Sequence, residues 1–251
     1  MITINFPSPG VALVTVTRTR VRNALDWDTM AAFAEAVTQL KARSDLRAAV
    51  LTGGGGTFIS GGDLRALHDA ISEADGMRLV SEMTEALNRL AALPFPVIAA
   101  IDGAARGGGA EIALACDLRV MAHDATIGFV QINLGLMPGW GGARRLWAQV
   151  GYSRALLYLT TGTILSADDA YRQGLVEELA PPGDAIPAAL ELARQIATRH
   201  PPAVQAIKRT LRNYQEDITH AEMLQAERDA FPPLWVDAYH LQAVDRFLQK
   251  R

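Results

Sequence analysis

Runs rich in glycine at 53–56, 61–62, 107–109 and 139–142, with one glutamate beside the third, are where this chain could do chemistry. Glycine costs backbone entropy, so a run of it marks a turn or a place where main chain approaches something closely. None of the runs fits G-x-G-x-x-G, and Gly61 is not followed by the lysine of a phosphate-binding P-loop. Ser60 lacks the glycine two positions earlier that a hydrolase nucleophile elbow needs, since Phe58 stands there. Taken alone, the runs are accounted for by tight turns. Glu111 falls three residues after Gly108, on the first turn of an expected helix, where a carboxylate suits the helix dipole. Arg18, Arg20 and Arg22 alternate with Thr19 and Val21. In an extended segment the three guanidinium groups share one side and call for an anion, phosphate being well matched. A solvated strand edge that resists aggregation is the other reading.

The elements that must position these residues follow from periodicity. Two alternating runs, 2–6 and 11–17, flank Pro7-Ser8-Pro9-Gly10 and read as a β-hairpin. A helix capped by Asp26 or Asp28 follows, with Met30, Phe33, Val37 and Leu40 at helical spacing. Residues 48–51 read as a buried strand. Val80, Met83, Leu87 and Leu90 mark a helix that stops at Pro94. Strands are expected at 97–101 and 118–121, with a short helix from Gly107 to Cys116 between them. The alternation over 45–130 predicts an α/β fold with short parallel strands. Beyond about 153 the pattern is helical, with one strand at 175–179 and breaks at Pro181-Pro182-Gly183, Pro201-Pro202 and Pro232-Pro233. The expected division is a core over 1–180 and a helical region over 181–251.

Composition bounds the function. The chain has 251 residues, 49% hydrophobic and 20% charged, with a net charge of −3. That balance argues against a nucleic-acid binder. A single cysteine, Cys116, excludes an internal disulfide framework, and the five scattered histidines give no zinc spacing. No apolar run approaches the roughly 20 residues that span a bilayer. The N-terminal residues alternate like a strand and lack a signal-peptide core, so a cytoplasmic protein is expected.

Four ordered blocks carry a resemblance: FISGGDL (58–64), GAARGGGAEIALACDLR (103–119), LGLMPGWGGARRL (134–146) and TGTILSADDAYRQGLVEEL (161–179). Together they resemble the enoyl-CoA hydratase/isomerase family, the crotonase superfamily, with a weaker echo at 247–251. The resemblance implies a spiral of ββα units with a C-terminal helical region. It also implies an acyl-CoA lyase that holds a thioester enolate in an oxyanion hole. Its two main-chain donors fall on Gly62 and Gly108, where side chains would obstruct close approach. Ser60, Asp63, Leu64 and Pro138 fall beside them as substrate-binding positions, with Asp63 and Asp117 also fitting loop or cap roles. Phe58 and Trp140 fit acyl-pocket walls or core packing equally. Arg18, Arg20 and Arg22 fit the phosphates of coenzyme A, which enters as part of the substrate; no other cofactor and no metal is implied. Family members assemble as trimers or dimers of trimers, so a homotrimer or hexamer is expected. Arg144 and Arg145 read as surface charge, and His68 as a structural or surface histidine on a helix.

One position departs from the family. Glu111 matches one of the two glutamates that hydratases use, but Gln131 stands where the second belongs, and Val130 replaces a proline. An amide can orient water yet cannot give and recover a proton. Hydration of a 2-enoyl-CoA therefore competes with decarboxylation of a malonyl-type thioester, which yields the enolate without a base. Residues 128–142, GFVQINLGLMPGWGG, look like the ethylmalonyl-CoA decarboxylase branch. Double-bond isomerisation, and a non-catalytic acyl-CoA- or RNA-binding module, are further alternatives. Gln131 could also face solvent or core with the register slipped by one.

Overall fold

A computed structural model describes residues 2–216 and 220–249. In chain order its elements are β1 (Ile2–Ser8), β2 (Val11–Val16), α1 (Trp27–Ala42), β3 (Ala48–Gly53), α2 (Glu73–Ala91), β4 (Val97–Ile101), β5 (Ala104–Arg106), α3 (Gly108–Ala115), β6 (Leu118–Ala122) and β7 (Thr126–Gly128). There follow α4 (Gly142–Val150), α5 (Tyr152–Thr161), β8 (Ile164–Ser166), α6 (Ala167–Arg172), β9 (Glu178–Ala180), α7 (Ala185–Ala197), α8 (Pro201–Glu216), α9 (His220–Trp235) and α10 (Ala238–Gln249).

The strands form two sheets. The larger runs β1-β2-β3-β4-β6-β9, antiparallel only between β1 and β2; the smaller runs β5-β7-β8. Each turn of the chain thus leaves one strand in each sheet: β4 then β5, β6 then β7. That is the expected spiral. Its corners need glycine. A Cβ on Gly103, between β4 and β5, would lie 2.2 Å from the Gly56 carbonyl, and its φ of +87° is one that L side chains rarely adopt.

Burial follows the helical and strand periods. Met30, Phe33, Val37 and Leu40 of α1 are buried, and Asp26 caps the helix by accepting from Thr29 N–H at 2.9 Å. β3 and β4 are buried along their whole length, as strands covered on both faces must be. α7 crosses the large sheet with Ala185, Ala189 and Ala193 fully buried, one small residue per turn, so helix and strands approach closely. Asp117 accepts from Val97 N–H at 2.7 Å and from Lys208 Nζ at 2.6 Å, which ties α8 to the head of β4. It is a structural residue.

Three expectations change. The three-residue strands β5, β7 and β8 carry no readable period. The strand expected over 175–179 is confined to Glu178–Ala180, because buried Arg119 takes the Leu175 carbonyl with Nε and the Glu177 carboxylate with Nη2, each at 2.6 Å. Pro232 and Pro233 lie inside the last turn of α9 and do not break it, although each removes one i→i−4 donor.

Cys116 is 4% exposed, and burial pushes its thiol up to about 12. An aromatic disulfide reagent at pH 8 should leave the native protein unlabelled and label one thiol per chain once it is unfolded; rapid labelling of folded protein would contradict this burial.

Candidate active site

The site begins with a buried amide on the turn after β2. Asn23 follows Arg22 in a pair of left-handed residues, φ +58° and +52°, a conformation asparagine tolerates well. Its fully buried amide donates to the carbonyls of Gly54 (2.8 Å), Thr57 (2.8 Å) and Phe58 (3.0 Å), while its oxygen accepts from Arg18 N–H at 2.9 Å. One residue thereby ties the turn after β2 to the glycine loop after β3. Leu25 and Gly62 then form a parallel bridge: Leu25 N–H donates to Gly61 and Asp63 N–H donates to Leu25, both at 2.8 Å. The bridge uses the groups on either side of Gly62. Among the described residues, Gly62 N–H donates to no protein acceptor.

The second loop is held the same way. Arg106 N–H donates to Ile59 at 3.0 Å and Gly107 N–H to Gly128 at 2.9 Å. Gly108 is the first residue of α3, so its N–H has no acceptor within the helix, and among the described residues it has none elsewhere. The two loops touch. A Cβ on Gly61 would lie 3.0 Å from Gly108 N, and one on Gly109 would lie 1.8 Å from the Ile59 carbonyl. Two uncommitted N–H groups thus sit on adjoining main-chain segments, the second at a helix N-terminus that favours negative charge.

Glu111 is 2% exposed, on the first turn of α3. Its Oε1 accepts from Gln131 Nε2 at 2.8 Å, and its Oε2 from the N–H groups of Trp140 (2.7 Å) and Gly142 (2.8 Å). Gly142 opens α4, so a second helix N-terminus faces the carboxylate. Two glycines make room. A Cβ on Gly142 would lie 2.5 Å from Glu111 Cγ, and one on Gly108 would lie 2.1 Å from the Trp140 ring.

Gln131 sits on a 3-10 turn, Val130–Leu134, ended by Gly135 at φ +72°. Turning its amide over would set two acceptors against each other, so Nε2 must face Glu111. Gln131 Oε1 is then buried with no partner among the described residues. Gln131 therefore faces neither open solvent nor an apolar core; it pairs with Glu111.

Other expected positions divide. The arginine alternation fails, because 19–21 is a 3-10 turn followed by the left-handed pair. Arg18 points inward to Asp26 (2.6 Å) and Asp63 (3.0 Å) and donates to the Ala24 carbonyl, which removes it from the anion-binding set. Arg20 and Arg22 are exposed, with no ion pair among the described residues. Asp63 also accepts from the N–H groups of Arg65 and Ala66, as a loop cap does. Ser60 donates to Val21 at 3.3 Å. Phe58 is fully buried in the core, which decides against a pocket wall. Leu64 is half-buried, and Pro138 and Trp140 are buried beside Glu111's donors. His68 lies on an exposed turn, 3.8 Å from Asp245, and not on a helix.

Arg145 is a further correction. It is buried, donating to the Trp140 carbonyl at 2.7 Å and to Asn88 Oδ1 at 3.0 Å. Helical spacing from Gly142 would have placed it on the inner face. The C-terminal Lys250-Arg251 lie outside the described residues.

A family model described as enoyl-CoA hydratase/isomerase matches residues 7–251. The short-chain-enoyl-CoA hydratase of Clostridium acetobutylicum is 34% identical over 96% of this chain and 92% of its own. The ethylmalonyl-CoA decarboxylase of Danio rerio is 34% identical over 94% of this chain and 79% of its own. Among solved structures, an enoyl-CoA hydratase from Bacillus anthracis superposes with a TM-score of 0.83 at 32% identity, covering 100% of this chain and 96% of that one.

Gly108→Ala should lower unfolding free energy by about 1–3 kcal/mol, because the added methyl overlaps the Trp140 ring. In a Trp140→Ala background the same change should cost far less. Equal losses in both backgrounds, measured by denaturant titration, would contradict this packing.

Proposed function

The chain belongs to the enoyl-CoA hydratase/isomerase family, and from that premise we propose that it adds water to a 2-enoyl-CoA thioester. In this reading the thioester oxygen accepts from Gly62 and Gly108 N–H. A water donates one hydrogen to Glu111 and the other to Gln131 Oε1. Its oxygen bonds to the β-carbon while the C=C electron pair moves onto the thioester oxygen. Glu111 takes the water proton and returns it to the α-carbon as the enolate collapses. One carboxyl thus does what two do elsewhere, and the amide only orients.

The observation that carries the reading is the unpartnered Gln131 Oε1. A buried acceptor without a donor costs free energy, which a water hydrogen relieves. Decarboxylation of a malonyl-type thioester is the second reading, favoured by the decarboxylase relative that covers most of this chain. It needs no base, because losing carbon dioxide leaves the electron pair as the enolate. Against it, both Glu111 and the Gln131 oxygen would face the substrate carboxylate with lone pairs.

Arg20 and Arg22, on the exposed turn beside the glycine loop, are the proposed partners of the coenzyme A phosphates. Leu64, Pro138 and Trp140 are proposed to contact the acyl portion, while Arg18, Asp63 and Ser60 support it from behind. The reading assigns no cofactor beyond the coenzyme A of the substrate, and no nucleic-acid partner. A homotrimer or dimer of trimers through 181–251 goes with it, supported by Ile207 and Leu211, which are 60% and 61% exposed on α8. Among the described residues no helix is long and apolar enough to cross a membrane; a cytoplasmic location is part of the proposal.

Crotonyl-CoA should lose its conjugated thioester absorbance with the enzyme, and ethylmalonyl-CoA should release little carbon dioxide. Glu111→Gln should lower hydration by about 10²–10⁴-fold. Gln131→Glu should raise it, by supplying a second carboxyl. Carbon dioxide release without hydration would replace this reading by the second.

A further inference from the structure

Three rings of the C-terminal helices lie in a row, Phe231 stacked on Trp235 and Trp235 tilted against His240. Phe231 and Trp235 lie 5.7 Å apart between centroids, and Trp235 and His240 lie 5.0 Å apart. Each ring meets a different segment of the site. Phe231 lies against Gly139, where a Cβ would come within 2.6 Å of the ring, one residue before Trp140. Trp235 Nε1–H donates to the Ala70 carbonyl, in the segment that follows Gly62. His240 Nδ1 lies 3.0 Å from the Leu134 carbonyl, on the 3-10 turn that carries Gln131.

A carbonyl can only accept, so Nδ1 carries the hydrogen. His240 is 3% exposed, and burial holds its imidazole below the usual range, which favours the neutral ring. The 3-10 turn packs against α10, and the His240 hydrogen bond is a described side-chain tie between the two.

We propose that His240 is a positioning residue: through the Leu134 carbonyl it fixes the turn that presents the Gln131 amide to Glu111. The role rests on the reading of Gln131 given above. His240 touches no reacting atom. It sets where the Gln131 oxygen points, and small displacements of an orienting group cost rate steeply.

The test uses the full-length protein and whichever of crotonyl-CoA or ethylmalonyl-CoA the wild type turns over. Turnover of neither would sink the assignment of the site itself, before any variant is made. His240→Phe keeps a ring against Trp235 and removes the donor. It should lower kcat by about 10-fold with KM changed less than about twofold. His240→Asn, which restores a donor, should recover most of the loss. In a Gln131→Ala background, His240→Phe should have little further effect, because the two changes act on one group. An unchanged kcat in His240→Phe, or an equal loss in both backgrounds, would overturn the proposal. If His240→Phe fails to fold, His240→Asn decides: kcat close to wild type supports the donor role, and a loss as large as that of Gln131→Ala overturns it.

Discussion

A buried carboxylate has to be satisfied where it stands, and the rest of this site is arranged around that requirement. Glu111 draws its three described donors from the 3-10 turn at 130–134 and from residues 140–142 at the start of α4. Removing an ionised group from water is costly unless donors replace the water. The loop that carries Trp140 and Gly142 is therefore drawn over α3. Arg145 holds that loop from the other side through the Trp140 carbonyl. The glycines at 108 and 142 are the spaces this closure leaves for the Trp140 ring and the Glu111 side chain.

The two proposed oxyanion donors arise by a different logic. Neither Gly62 nor Gly108 is chosen for what its side chain does. In each case the neighbouring hydrogen bonds are spent on holding loops together, and one N–H is left over. At Gly62 the leftover comes from a single parallel bridge; at Gly108 it comes from the geometry of a helix start. A rigid frame that leaves two of its own donors unused suits the proposed role, since preorganised donors meet a developing negative charge without reorganisation.

Much of this was legible in the sequence, because the signals were local. Asp26 as a cap, the apolar stripes of α1 and α2, and the strand–loop–helix order of 45–130 all follow from residues within one turn or one strand of each other. Spacing placed Glu111 on the first turn of α3, and the family resemblance marked it as a site residue. What was not legible depends on long-range contacts. β5, β7 and β8 are too short to show a period and exist only as partners of one another. Arg18 reads as one of three alternating cations until the left-handed backbone at 22 and 23 turns it toward Asp26 and Asp63. Arg145 looks like one of a pair of surface arginines until α4 is placed. The Phe231–Trp235–His240 row joins segments about 90 to 165 residues away, which no spacing rule reaches.

At position 23 two separate demands on the side chain meet. Its backbone asks for glycine or asparagine, and its three carbonyl partners ask for an amide nitrogen. Glycine would meet the first demand and fail the second; aspartate would set anionic oxygens against carbonyl oxygens; glutamine would overreach. A saturation scan scored only by turnover would rank position 23 beside position 111, although one is the proposed proton carrier and the other is part of the frame. Intolerance to replacement here reports how a frame is locked, and it cannot be used by itself to number the residues that react.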